Sequence, residues 1–120
     1  MTLSVSVHQW EEGTGKLGPD LVVGPAAALA GFELWRTTVY GSAAIRKRGA
    51  LLLPRLATGD LLIEGSELLA FQQECELLLK DVAAIAAELG LDSETLRFRL
   101  SNIANAIAQA IAIGGVVWVS

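Results

Sequence analysis

The single histidine, His8, is the side chain best suited to proton transfer, because imidazole titrates near neutral pH. Apolar and polar residues alternate ahead of it, so an extended strand would place Ser4 and Ser6 on the same face as His8. A serine nucleophile requires such a base and an acid that orients it, and Glu11 and Glu12 follow nearby. The sequence shows no nucleophile elbow or oxyanion-type turn. We therefore expect His8 to be a solvated residue at a strand end, and we predict no catalytic residue.

The glycine-rich segment 13–16 has the composition of a phosphate-binding loop but lacks its pattern. A Walker loop requires Ser or Thr after the lysine, where this chain has Leu17, and then a helix, where it has Gly18 and Pro19. The lone Cys75 lies among apolar residues at helical spacing, which indicates an inert buried thiol. One cysteine and one histidine are too few for a zinc site. The sequence therefore predicts no cofactor and no bound metal.

Acidic residues are numerous in the stretch 66–90. Glu74 and Asp81 are seven residues apart and share one side of a helix, with Glu76 close by. Paired carboxylates can transfer protons or bind metal ions, but no Glu-x-x-His motif accompanies these. They form either an ordinary solvated face or a docking surface for a basic protein partner. Glu74, Glu76 and Asp81 are the residues that we predict would contact such a partner.

The basic residues Arg46, Lys47 and Arg48 are adjacent in the sequence, so they cannot all occupy core positions. Such a run usually keeps an apolar chain soluble. The alternative is a binding site for a phosphate group or an acidic partner.

The long helix predicted from Ser66 to Gly90 positions the acidic residues. Its apolar residues recur at alternating intervals of three and four, which places them along one stripe of a helix. We expect Ser66 to cap the first turn and Gly90 to end the helix in a left-handed conformation. The members of the stripe are Leu68, Phe71, Cys75, Leu78, Val82, Ile85 and Leu89.

A second helix is predicted to begin at Asp92 or Ser93 and to end before Gly114. Its expected apolar stripe is Leu96, Leu100, Ile103, Ile107 and Ile111, while Asn102, Asn105 and Gln109 lie mostly away from it. Alternating or β-branched segments predict strands elsewhere. The other predicted elements are a strand ending at His8, a strand Phe32–Tyr40, a short helix Ser42–Arg48, an extended segment Leu61–Ile63 and a strand Val116–Val119 with Trp118 largely buried.

The order of these elements predicts an α+β fold. Strands come first, two helices follow, and one strand ends the chain, so the helices are segregated from most of the sheet. The short connection at Gly90–Asp92 favours an antiparallel pair of helices. We predict a small, mostly antiparallel sheet packed against a two-helix antiparallel hairpin, in a single globular domain spanning residues 1–120.

Charge and composition limit the partners. The net charge is −4, and nucleic-acid binders need a basic face, so we expect no nucleic-acid partner. Apolar residues make up 52% of the chain, which favours burial against a partner or in a homodimer through the alanine-rich second helix or a sheet edge. The alternative is that the alanine-rich stretches alone account for the high apolar fraction. The uncharged stretch Ser101–Val119 is long enough for a membrane span, but its Asn and Gln residues share one helical side, so we expect no membrane association. The absence of secretory features near the N-terminus favours a cytoplasmic location.

These features are similar in general character to those of small bacterial toxin-immunity proteins, which are acidic α+β proteins without catalytic residues. The similarity implies a non-enzymatic protein-interaction domain that neutralises a partner through an apolar patch with an acidic rim. The alternative is a small-molecule-binding domain or small enzyme subunit with a pocket between helices and sheet.

Overall fold

The computed structural model describes residues 2–120, in which four strands form one antiparallel sheet in the order β2–β1–β4–β3. The strands are β1 (Thr2–His8), β2 (Leu29–Phe32), β3 (Leu61–Glu64) and β4 (Val116–Val119). The helices are α1 (Ala43–Arg46), α2 (Ser66–Lys80), α3 (Val82–Leu89) and α4 (Ser93–Ile113). Helices α2 and α4 pack against each other and against the sheet. The predicted α+β class is therefore confirmed.

The C-terminal strand β4 lies between β1 and β3. Val117 is opposite Val7 on one side and Ile63 on the other, and all three are at most 1% exposed. These side chains face the helices and form the part of the core that the sheet contributes. The prediction that Val116–Val119 is a strand within the sheet is confirmed.

The expected burial of Trp118 is wrong, because 37% of this residue is exposed. Successive side chains of a strand alternate between its faces, so Val117 and Val119 face the core while Trp118 faces outward. Its neighbours across the strands are Ser6 and Leu62, which are also outside the core.

The helix predicted from Ser66 to Gly90 is two helices, because the backbone leaves helical geometry at Asp81 (φ −108°, ψ 14°). The apolar stripe survives the break: Leu78 is 0% and Val82 is 1% exposed, since α3 resumes after one residue. The predicted two-helix hairpin is not confirmed in this form, because α2 and α3 both pack on α4.

Of the two predicted ends of the stretch 66–90, one is confirmed and the other is wrong. Gly90 ends α3 in the left-handed conformation (φ 68°, ψ 31°), as predicted. Ser66 does not cap α2. Gly65 occupies the cap position with φ 62° and ψ −139°, a conformation suited to glycine, and no side chain bonds the first amides.

The predicted strand Phe32–Tyr40 is wrong. Strand β2 ends at Phe32, and Arg36–Tyr40 form a π-helical turn. Trp35, Val39 and Tyr40 are all nearly or fully buried, and their spacing places them together on a helical turn, whereas a strand would place Tyr40 opposite the other two. The buried Tyr40 hydroxyl donates a hydrogen bond to the carbonyl of Ala30. Tertiary packing therefore overrides the β propensity of this segment.

Helix α4 begins as predicted, with the Asp92 carboxylate accepting a hydrogen bond from the Thr95 amide at 2.9 Å. Its predicted stripe is fully buried up to Ile107, but Ile111 is 41% exposed. Asn102 does not lie on an exposed polar side: it is 8% exposed, and its amide group donates to the carbonyls of Ala26 and Leu29. Asn102 thereby holds the chain leading into β2.

The remaining segments are short. The predicted short helix is α1, whose first turn is capped by Ser42 and which is followed by Gly49 at φ 92°. A 3₁₀ turn at Leu53–Ala57 precedes β3. Within residues 2–120, no helix has both the length and the apolar character needed to cross a membrane.

Candidate functional site

A surface groove of about 360 Å³ runs along α2. One wall is formed by α2 residues spaced three or four positions apart, which are neighbours on a helical surface. The other wall is formed by the segment after α1 and by the Leu53–Ala57 turn that follows it. The lining residues on α2 are Glu67, Ala70, Gln73, Glu74 and Leu77, and those on the opposite wall are Gly49, Leu51, Leu52 and Arg55. We call this feature the α2 groove.

Two leucines line the α2 groove while remaining exposed. Leu51 is 76% and Leu77 is 50% exposed, although the core-facing side of α2 is buried. Ala70 and Gly49 are small, and they leave the space into which a side chain from outside could fit. Apolar side chains around such an opening favour insertion of an apolar group.

Glu74, which we predicted to contact a partner, instead bonds backbone amides of its own chain. Its carboxylate accepts hydrogen bonds from the backbone amides of Leu51, Leu52 and Leu53, at 2.6, 2.9 and 2.8 Å. These amides belong to the start of the Leu53–Ala57 turn, where no helical acceptor is available. Glu74 therefore fixes the far wall of the α2 groove to helix α2.

Asp81 is also engaged within the chain. Its carboxylate bonds Arg48 at 2.6 Å, at the break between α2 and α3. Arg48 also bonds Glu88 at 2.5 Å, and Lys47 pairs with the same Glu88 carboxylate. Hydrogen bonds from Lys47 and then Arg48 lower the pKa of Glu88 below its usual value. Hydrogen bonds to Asp81 and Glu88 raise the pKa of Arg48.

Two of the three adjacent cations therefore serve this network, which ties α1 to the α2–α3 junction. The third, Arg46, donates through Nε to the carbonyl of Gly41. The predicted basic cluster is therefore largely engaged in holding its own chain together.

Glu76 is exposed, and the ion pairs found within residues 2–120 do not include it. The structure thus does not bring the three predicted acids into one cluster. Glu74 bonds the groove wall, Asp81 bonds Arg48, and Glu76 faces solvent.

The charged residues at the ends of α2 have opposite signs. Glu67 lies in its first turn, where it approaches Arg55 to 3.5 Å, and both side chains are about half exposed. Lys80 lies in its last turn. This distribution complements the helix dipole and makes α2 acidic at one end and basic at the other.

The sequence does contain a pattern that indicates the groove, but the more apolar stripe through Leu78 is easier to recognise. Ala70, Gln73, Leu77 and Lys80 follow a second row of three- and four-residue spacing, on a side of α2 away from Leu78. The opposite wall gave no such signal, because its position depends on hydrogen bonds across 21 to 23 residues of sequence.

A separate polar cluster involves His8, which is 9% exposed rather than solvated. Its Nε2 lies 2.8 Å from Ser6 Oγ, and its Nδ1 lies 2.8 Å from the Gly18 carbonyl oxygen. The loop after β1 folds back to supply that carbonyl, and the expectation of a solvated histidine is wrong for this reason. Glu11 and Glu12 do not orient the imidazole.

Cys75 is 0% exposed, as predicted, and burial raises the pKa of its thiol. Within the described part of the chain, no three His, Cys, Asp or Glu side chains are grouped so that they could hold a metal ion.

No protein-family model matches this chain, and comparisons with curated proteins and with solved structures give no match. Its function therefore has to be inferred from its own geometry.

Proposed function

We propose that the main role of this chain is that of a cytoplasmic protein-interaction domain, which forms a homodimer through the α2 groove. The observation that supports this proposal is the exposure of Leu51 and Leu77 around one concave surface. Full burial of a leucine contributes roughly 1.5–3 kcal/mol. A contact that covers both leucines removes this apolar area from water in each protomer.

Self-association fits the charges of α2. Two copies of this helix, packed antiparallel about a two-fold axis, would bring Glu67 toward Lys80 of the partner subunit. The same operation repeats the pair, because a two-fold contact is formed twice. A parallel arrangement would instead bring like charges together.

A stable interface involves about 20–30 residues on each partner, whereas nine residues line the α2 groove. The contact must therefore extend along α2 to Leu69, which is 55% exposed and borders a second groove of about 280 Å³. That groove also contains Ile111. Together these side chains extend the exposed apolar surface along α2 beyond the α2 groove.

The second candidate function is binding of a basic partner protein, as in a partner-neutralising, immunity-like role. Glu76 is the predicted acid that supports it, since Glu74 and Asp81 are bonded internally. Reversal of an exposed rim charge alters the rate of association more than that of dissociation.

The small-molecule alternative has less support. It requires a pocket between helices and sheet, but Phe71, Ile103 and Val117, which face that space, are all 0% exposed. The α2 groove lies on the outer side of the helix instead.

The test is sedimentation equilibrium over a wide range of protein concentration. The monomer mass is 12.7 kDa, and we expect the wild type to approach twice that mass. Leu77→Glu should give a monomer with unchanged circular dichroism. Leu34→Glu is the matched control, because Leu34 is 75% exposed and does not line the groove.

Two results would overturn the dimer. One is a wild type that stays monomeric at the highest concentration. The other is a dimer that survives Leu77→Glu but dissociates in Ala108→Glu, which would place the interface on the alanine-rich face of α4.

A further inference from the structure

The outer face of the sheet presents a serine and a histidine in direct contact. Ser6 and His8 are two residues apart on β1, so both side chains leave the same face of the strand. That face is opposite the one covered by α2 and α4, and Ser6 is partly exposed there. This arrangement is independent of the α2 groove and of the proposed dimer.

The hydrogen bonds of His8 assign its tautomer. A backbone carbonyl can only accept, so the Nδ1 atom that faces the Gly18 oxygen at 2.8 Å must hold the proton. The Nε2 atom of neutral imidazole is then an acceptor, and it faces Ser6 Oγ at 2.8 Å. The other acceptor within reach of that hydroxyl, the Trp118 carbonyl, is more distant at 3.4 Å.

We propose that Ser6 is a nucleophile toward activated carboxylic esters, with His8 as its general base. The three groups have the relation that such chemistry requires: a hydroxyl bonded to an imidazole nitrogen, and the second nitrogen held by an acceptor. The Gly18 carbonyl occupies the place that a carboxylate has in the Ser-His-Asp arrangement. It fixes the imidazole without adding a negative charge.

The surroundings indicate the class of ester. Trp118 is 37% exposed with its ring centroid 6.1 Å from that of His8, and the neighbouring Leu62 is 45% exposed. Trp10 donates from Nε1 to Glu64 at 3.3 Å and is 46% exposed. These apolar surfaces suit an ester with an aromatic or short apolar group, which would pack on Trp118.

The step begins when Nε2 of His8 takes the proton of Ser6 Oγ as the oxygen attacks the ester carbonyl carbon. A C–O bond to Ser6 forms, the bond to the leaving oxygen breaks, and Nε2 returns the proton to that oxygen. The products are acyl-Ser6 and an alcohol or phenol, and water later hydrolyses the acyl group. Because the Ser6 backbone lies within the ladder with β4, its amide is not free to stabilise the oxyanion, so we expect slow acylation.

The test uses 4-nitrophenyl acetate as the probe, with release of 4-nitrophenolate followed by absorbance and the acetyl group located by peptide mass mapping. We expect acetyl-Ser6 in the wild type. Ser6→Ala should remove that adduct, and His8→Gln should slow its formation about 100-fold, the usual lower limit for a general base. Ser4→Ala is the matched control, because Ser4 lies on the same face of β1 but makes no hydrogen bond with His8.

Acetylation found at lysines but not at Ser6 would overturn the proposal. So would acetylation of Ser6 at the same rate in His8→Gln as in the wild type, provided that circular dichroism shows both variants folded.

Discussion

Glu74 and Glu76 are two residues apart on one helix, and their carboxylates have different surroundings. Glu74 accepts three backbone amides, whereas Glu76 faces solvent. The sequence places both outside the apolar stripe but cannot distinguish them, because the amides bonded by Glu74 come from Leu51–Leu53, an irregular segment. The wall of the α2 groove that lies on the helix was therefore predictable from the sequence, whereas the opposite wall was not.

Replacing Glu74 by Gln should destabilise the fold. A glutamine has one acceptor oxygen, and its amide group would face backbone amides that also donate, so at least one of them loses its partner. We expect a loss of about 1–3 kcal/mol in the free energy of unfolding, measured by urea denaturation. Glu76→Gln should change it by less than about 0.5 kcal/mol. Equal effects of the two substitutions would show that the amide contacts contribute little.

Glu88 should make stability depend on acid pH. Its pKa is lowered in the folded state, so its contribution is present above the unfolded-state value of about 4.3 and is lost as the pH falls through the folded-state value. Compared with Glu88→Gln, the wild type should be more stable at neutral pH, and the difference should shrink below about pH 4. Urea denaturation of both proteins across this range measures it. A difference that stays constant with pH would contradict the role of Lys47 and Arg48.

At the scale of elements, the spacing of apolar residues predicted which face is buried better than it predicted the type and length of the helix or strand. It identified the side of α2 and α3 that packs inward, although it missed the break at Asp81, where Arg48 from the turn after α1 bonds the carboxylate. In the segment Phe32–Tyr40, β-branched and aromatic residues predicted a strand. The π-helical turn forms there because it buries Trp35, Val39 and Tyr40 together, a requirement of the whole fold rather than of the segment.

Leu78 tests the buried stripe of α2. It is 0% exposed and close to the break, so Leu78→Ala should leave a cavity and cost about 2–5 kcal/mol. Leu34→Ala removes the same atoms from a residue that is 75% exposed, and it should cost far less. Denaturant melts at one fixed protein concentration make the comparison valid for a chain that dimerises. A cost below about 1 kcal/mol at Leu78, with an unchanged m-value, would mean that the neighbouring side chains refill the space.

At the scale of the whole molecule, the two ends of the described chain meet in the middle of the sheet. β1 and β4 are adjacent, and Ser4 and Ser120 exchange two backbone hydrogen bonds, at 2.7 and 3.0 Å. β4 also provides the only ladder that joins β3 to the rest of the sheet within residues 2–120. Formation of the sheet therefore depends on contacts between residues more than a hundred positions apart, which local sequence patterns do not specify.

Deleting residues 116–120 should accordingly abolish cooperative folding. Without β4, the amides and carbonyls of β1 and β3 that it pairs would lose their partners, and Val7 and Ile63 would lose the valine between them. We expect a product that aggregates through the exposed strand edges or lacks a cooperative thermal transition. Deleting Ser120 alone is the matched control: it removes one pair of hydrogen bonds at the end of the ladder and should lower the melting temperature without loss of cooperativity. A soluble product of the larger deletion that still unfolds in one cooperative transition would show that β1 and β3 are held by the helices, and that β4 is not required to join them.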